Sequence, residues 1–155
     1  MKLTSEAMRE QQIPVRYSKD GQNISPPLAW SDLPDDTKEL ALLFENITPQ
    51  TEEPFVQWLV YGIPPAQGGL PEGYRHKRDP KEPVDLLHGR NSLGNVGYDG
   101  PLGTLGRAIR YRFRLFALDQ PLELSPGVDR EGFLAAAAGH VLEQSDLLAT
   151  YERGP

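Results

Sequence analysis

The chain contains no cysteine, which excludes disulfides, thiol nucleophiles and cysteine-ligated zinc and fits a reducing compartment. It also lacks long hydrophobic runs. Leu40 to Phe44 and Phe133 to Ala138 are the longest, far short of the ~20 apolar residues a membrane-spanning helix needs. Met1 to Gln12 is polar and has no apolar stretch of the kind a secretory signal requires, so a cytoplasmic location is expected. Basic charge is scarce: 16 Lys and Arg stand against 22 Asp and Glu, for a net charge of -6. With no long basic tract, neither nucleic acid nor an anionic membrane is an expected partner.

Familiar catalytic motifs are missing as well. No Gly-x-Ser-x-Gly elbow surrounds a serine, and Ser92, in Asn91-Ser92-Leu93-Gly94, lacks that context. The glycines at 94, 97 and 100 precede a strand-like segment, not a helix N-terminus that could receive phosphate. They read as positions for unusual backbone conformations, and no cofactor is expected.

What is present points to a turn-rich β protein. A chain of 155 residues is the size of one domain, 1–155, and its 15 Gly and 15 Pro favour many turns over long helices. Turn chemistry at Tyr17 to Gly21 and Ser25-Pro26-Pro27 leads into an extended Leu28-Ala29-Trp30. Leu40 to Phe44 suits a strand buried on both faces. In Phe55 to Ile63, simple alternation puts Phe55, Gln57, Leu59 and Tyr61 on one face and Val56, Trp58 and Val60 on the other.

Ile109 to Ala117 alternates most cleanly. Ile109, Tyr111, Phe113, Leu115 and Ala117 form an apolar face against Arg110, Arg112 and Arg114, whose plain reading is a solvated face. Residues 64–108 carry Gly, Pro and charge with little periodicity, a connection long enough to be mobile or functional. Asp129 can cap a helix running through the alanines toward Leu142, with a second helical turn at Gln144-Ser145-Asp146 and a frayed tail from Glu152.

Three ordered blocks resemble the phosphatidylethanolamine-binding, or Raf-kinase-inhibitor-like, family in its bacterial form. They are Ile13-Pro14 to Tyr17 with Asp20-Gly21-Gln22-Asn23-Ile24-Ser25-Pro26-Pro27-Leu28-Ala29-Trp30; Phe55 to Pro64 with Leu70-Pro71-Glu72-Gly73; and Gly89-Arg90-Asn91, Gly94, Gly97-Tyr98, Gly100-Pro101, Arg110-Tyr111 and Phe116 to Asp119. Gly139 to Leu142 with Tyr151-Glu152-Arg153 is similar to the family's C-terminal helix segment. The resemblance implies a mainly β, Greek-key-like antiparallel sandwich with a few short peripheral helices and a small anion-accepting surface pocket. It also implies regulation or inhibition more often than catalysis.

Residue by residue, the pocket that the resemblance implies is chemically altered. The family's acidic segment falls on Asn46 and Thr48, or, shifted by one residue, retains an acid at Glu45. Its strand histidine is Gln57, its second histidine is Ile109, and the partner tyrosine survives as Tyr111. Of the Gly-Pro loop, Gly100-Pro101 is kept and the following prolines are replaced by Leu102-Gly103-Thr104. The expectation is a polar, largely uncharged cleft around Asn46, Gln57, Tyr98 and Tyr111, walled by Phe55 and Ile109, that takes small anionic or polar ligands weakly. Substitutions that fill the pocket, leaving only a protein-contact scaffold, are the alternative.

Two other functions stay open. His76 and His88, with Asp79 and Asp85 between them, would have to converge across a loop to serve a metal-assisted hydrolase, since their spacing matches no tight ligand motif. His140 reads as a structural, partly buried residue. A purely structural homodimer is the other alternative, because bacterial members of the resembled family often pair.

Overall fold

A computed structural model describes residues 1–48, 54–74, 87–103 and 105–154. It is mainly β. A small antiparallel sheet contains β1 (Lys2–Thr4), β2 (Leu28–Ser31) and β5 (Gly69–Leu70), in the order β1-β2-β5. The large one contains β3 (Glu39–Asn46), β4 (Phe55–Ile63), β6 (Leu87–His88), β7 (Ala108–Leu118) and β8 (Val141–Glu152), in the order β6-β4-β3-β7-β8. Among the described residues one α-helix, α1 (Arg130–Ala137), and two 3₁₀ turns, Arg9–Gln11 and Val15–Tyr17, complete the regular structure.

β3 is central and reads as a continuous apolar run because both of its faces are covered. Leu40, Leu42 and Phe44 join the cluster shared with the small sheet, while Ala41 and Leu43 join the one closed by Phe133 and Ala137 of α1. Each fully buried leucine contributes roughly 1.5–3 kcal/mol of transfer free energy. Phe44 stacks on Phe113 of the neighbouring β7 with ring centroids 3.9 Å apart.

Simple alternation fails in β4, and the reason lies in its pairing. Phe44 is opposite Trp58 but Glu45 is opposite Val56, so Gln57 is the extra residue of a β-bulge. The bulge moves Leu59 and Tyr61 to the face of Val56, against α1, and places Trp58 and Val60 in the other core. Faces assigned by counting in twos from Phe55 are therefore corrected beyond Gln57.

The C-terminal expectation is also corrected. α1 starts at the Asp129 cap, whose Oδ1 accepts from Gly132 N at 2.9 Å, but ends at Ala137, two residues before Gly139 turns left-handed at φ 81°. The stretch read as helical, Gln144 to Asp146, lies within β8, where Ala149 and Tyr151 point into the core and Leu147 packs against it. Period two outweighs the helical signal here because the whole length of β7 offers β8 a ladder.

Candidate functional site

Three neighbouring strands build the floor of a cleft. Asn46, the last residue of β3, is in register with Phe55 of β4 on one side and Tyr111 of β7 on the other. Residues directly opposite across a sheet share a face. The bulge adds Gln57, and the loops add Lys19, Leu93, Gly100 and Leu102, around a cavity of about 240 Å³.

The polar groups are held from behind. Gln57 donates through Nε2 to the Asp99 backbone carbonyl at 2.7 Å, and the Gln57 backbone carbonyl accepts from Asp99 N at 3.0 Å. Asn46 Oδ1 accepts from Thr48 N at 2.9 Å, which leaves its amide nitrogen as the donor for the cleft. Lys19 Nζ lies 3.5 Å from Asp99 Oδ1, a carboxylate that also accepts from Asn91 and Asn95 at 2.6 and 2.9 Å. Burial, with the nearby Tyr151 and Asp20, pushes the Tyr111 hydroxyl far above its usual range, so it remains a neutral phenol.

Segment 17–23 clasps the Gly-Pro loop. Tyr98 donates its hydroxyl hydrogen to the Tyr17 carbonyl at 2.6 Å, Lys19 N donates to the Pro101 carbonyl at 2.8 Å, and Gly100 N donates to Asn23 Oδ1 at 2.7 Å. Approach is so close that a Cβ on Gly100 would stand 2.2 Å from the Tyr17 carbonyl oxygen, which only glycine avoids. These bonds hold the loop where the missing prolines would otherwise stiffen it.

Asn46, Phe55, Gln57, Gly100 and Tyr111 thus meet in one cleft, and four other candidates do not line it. Thr48 caps the strand end through Arg110 N and O, Pro101 is buried beneath the loop, and Ile109 packs against the core. Tyr98 is buried between Phe44 and Trp58 and borders a second hollow of about 750 Å³ with Asn23, Ser25 and Tyr74. Lys19, Leu93 and Leu102 carry no pattern in the sequence that links them to the cleft. The expected wall of Phe55 and Ile109 becomes a rim of Phe55, Leu93 and Leu102, which are 37%, 48% and 66% exposed, and the expected uncharged interior gains one ammonium.

The arginine face is the other correction. Glu45, 0% exposed, receives Arg112 and Arg114 on Oε1 at 3.0 and 2.9 Å and Arg130 on Oε2 at 2.6 Å. Burial pushes its carboxyl up, but the bonds from Arg130 and Arg112 and the charges of Arg130 and Arg114 outweigh that and hold it below its usual range. Arg110 alone of the three stays exposed. Since Glu45 faces α1 and Asn46 faces the cleft, the residue standing at the expected acidic position is the carboxamide.

His88 is buried, its Nδ1 accepting from Trp58 Nε1 at 3.1 Å. His76, Asp79 and Asp85 lie outside the described residues, among which no three His, Asp or Glu side chains come together to hold a metal. His140 is half-buried, 3.0 Å from Asp119, in the turn before β8 and not within a helix.

The comparisons bear on the family and the fold. A family profile for phosphatidylethanolamine-binding proteins matches residues 4–152. The chain belongs to that family. The UPF0098 protein of Methanothermobacter thermautotrophicus is 39% identical over 155 residues, covering 99% of this chain and 100% of its own. The UPF0098 protein of Chlamydia trachomatis is 35% identical over 158 residues, with 99% of each chain covered. A crystal structure of a phosphatidylethanolamine-binding protein homologue from Chlamydia trachomatis superposes with TM-score 0.84 at 34% identity, over 98% of this chain and 97% of that one. E. coli YbcL, at TM-score 0.87, 22% identity and 98% coverage of both chains, shares the phosphatidylethanolamine-binding fold. Among the described residues no helix is long and apolar enough to cross a membrane.

Proposed function

We propose that this member of the phosphatidylethanolamine-binding family is a non-enzymatic, inhibitor-like binding protein of the cytoplasm. Its cleft takes a small polar or anionic group weakly, and its apolar rim meets a protein partner. The observation that carries the reading is the donor set itself: two carboxamides, a neutral phenol and one ammonium already drawn to Asp99. Among the described residues no imidazole or carboxylate lines the cleft to act as general acid or base near neutral pH. An entering anion must compete with Asp99 for Lys19, which weakens binding. Phe55, Leu93 and Leu102 make a three-sided apolar border of the kind that marks contact surfaces.

Thermal unfolding with phosphate or phosphoethanolamine tests the ligand half. At millimolar concentration the expected stabilisation is no more than about 0.4 kcal/mol, the value when ligand just equals its Kd. A response corresponding to micromolar affinity overturns the reading. Stoichiometric zinc or manganese in the purified protein would instead favour the metal-assisted alternative.

A further inference from the structure

Asp99 stands between the two cavities. Its backbone holds the cleft floor through Gln57, while its side chain belongs to the wall of the hollow of about 750 Å³. The carboxylate is fixed in place. Asn91 Nδ2 at 2.6 Å and Asn95 Nδ2 at 2.9 Å both donate to its Oδ2, and Asn91 Oδ1 orders the loop by accepting from Leu93 N and Asn95 N. Its Oδ1 is poorly served. Among the described residues the sole partner of that oxygen is Lys19 Nζ, which reaches in from the cleft and stops at 3.5 Å, whereas a charge-assisted bond closes to about 2.7–2.9 Å. A carboxylate side chain that is only 12% exposed therefore keeps unused acceptor capacity.

The rest of the hollow suits a cation with a hydrocarbon tail. Among the described residues that line it, Asp99 alone is charged, in a chain of net charge -6. Asn95, having given Nδ2 to Asp99, has its Oδ1 left to accept. Ile24, Tyr74, Val96 and Tyr98 supply apolar wall, with the Tyr98 hydroxyl engaged by the Tyr17 carbonyl. A single carboxylate among neutral carbonyls is a poor cage for a bare divalent ion, which takes roughly six or more oxygens. An anion would meet no cationic side chain there. An ammonium group fills only a small part of the volume, so an alkyl chain can follow it in.

We propose that the hollow is a second binding site, for a primary alkylammonium, and that Asp99 links it to the cleft. The ammonium donates to Asp99 and to the Asn95 side-chain carbonyl and replaces Lys19 as the counter-ion. Lys19 is then released toward an anion in the cleft, so each ligand raises the affinity for the other, and by the same factor. The linkage rests on the reading of the cleft given above; the ammonium site does not.

Butylammonium chloride, titrated into isotope-labelled protein followed by NMR and compared with sodium chloride at equal ionic strength, tests the site. Backbone amides of 23–25 and 95–99 should shift saturably with butylammonium and not with sodium. Asp99→Asn keeps the shape of the side chain and its bonds to Asn91 and Asn95 and should abolish saturation. Val96→Trp fills the hollow, leaves Asp99 and Lys19 in place and should do the same. Lys19→Met removes the competing charge and should tighten butylammonium by roughly two- to fivefold, the weight of a partly exposed ion pair. Saturating butylammonium should tighten phosphate, followed at the Gln57 and Leu93 amides, by a similar factor. A response that never saturates, or one that survives both Asp99→Asn and Val96→Trp, overturns the proposal, since general attraction of a cation to an acidic chain then accounts for it. Butylammonium that binds the hollow equally in wild type and Lys19→Met overturns the linkage. If phosphate does not bind at all, the reading of the cleft fails, while the Lys19→Met comparison, which needs no anion, still decides the proposal.

Discussion

Glu45 and Asn46 are adjacent on β3 and point to opposite faces of one sheet, and the two faces treat polarity in opposite ways. On the α1 side a fully buried carboxylate is locked by three guanidiniums. On the cleft side the half-buried Asn46 and the buried Gln57 and Tyr111 surround a single ammonium. Ionic chemistry has a structural task in this molecule, while the floor of the cleft is nearly neutral. A buried ionic cluster is costly to assemble and costlier to interrupt, because removing one member leaves uncompensated charge. A neutral open cleft tolerates substitution, so the two faces should respond to mutation on different scales.

The largest contrast is expected from Glu45→Ala, which strands Arg112, Arg114 and Arg130 around a void and should lower unfolding free energy in urea by about 3–5 kcal/mol. Asn46→Ala, one residue along, should cost about 1 kcal/mol through the lost bond to Thr48 N. Equal losses would mean that the faces do not differ as described.

Acid titration sharpens the same contrast. The Glu45 carboxyl is held below its ordinary 4.5 in the folded chain. Its contribution is therefore present above that value and is lost as pH falls through the lower folded one. Unfolding midpoints of the wild type should fall more steeply in acid than those of Glu45→Gln. Glu39, raised by burial against backbone donors from Leu122 and Gly62, contributes with the opposite sign, so the difference between the two proteins is the quantity to measure.

Charge can be introduced on the neutral side. Gln57→His places an imidazole in the floor beside Lys19, and phosphate affinity measured by calorimetry should rise as pH falls below about 6.5. A pH-independent response would mean that the new ring remains neutral or turns away. The smallest effect is expected at the rim: Leu102→Ser should change stability by no more than about 0.5 kcal/mol in the same urea assay, since its side chain is largely in solvent. A loss well above that would show the rim to be part of the fold and not a free surface.

Much of this arrangement was legible in the residues. The apolar face of β7, the doubly covered β3 and the Asp129 cap all follow from local pattern, and the ordered motif blocks carry the family and its fold. Of the cleft, Asn46, Phe55, Gln57, Gly100 and Tyr111 were within reach of the resemblance. Arg112 and Arg114 were misread as solvated because alternation reports which side a residue faces, not what covers that side. Helix α1, arriving from a distant part of the chain, brings Arg130 and converts an exposed-looking stripe into an ion cluster. Likewise, the polar stretch from Gln144 to Asp146 shows its strand character only once β7 is beside it.

The sequence by itself determined the β class, the family and the carboxamide and phenol groups available to the cleft, because those rest on residue types and ordered motifs. Tertiary structure decided which polar residue faces where. The bulge that presents Gln57 is a property of the β3–β4 register, and Lys19 reaches the floor only because the 17–23 segment is hydrogen-bonded to the Gly100 loop. Both depend on pairing between separate strands and loops, which no window along one segment contains.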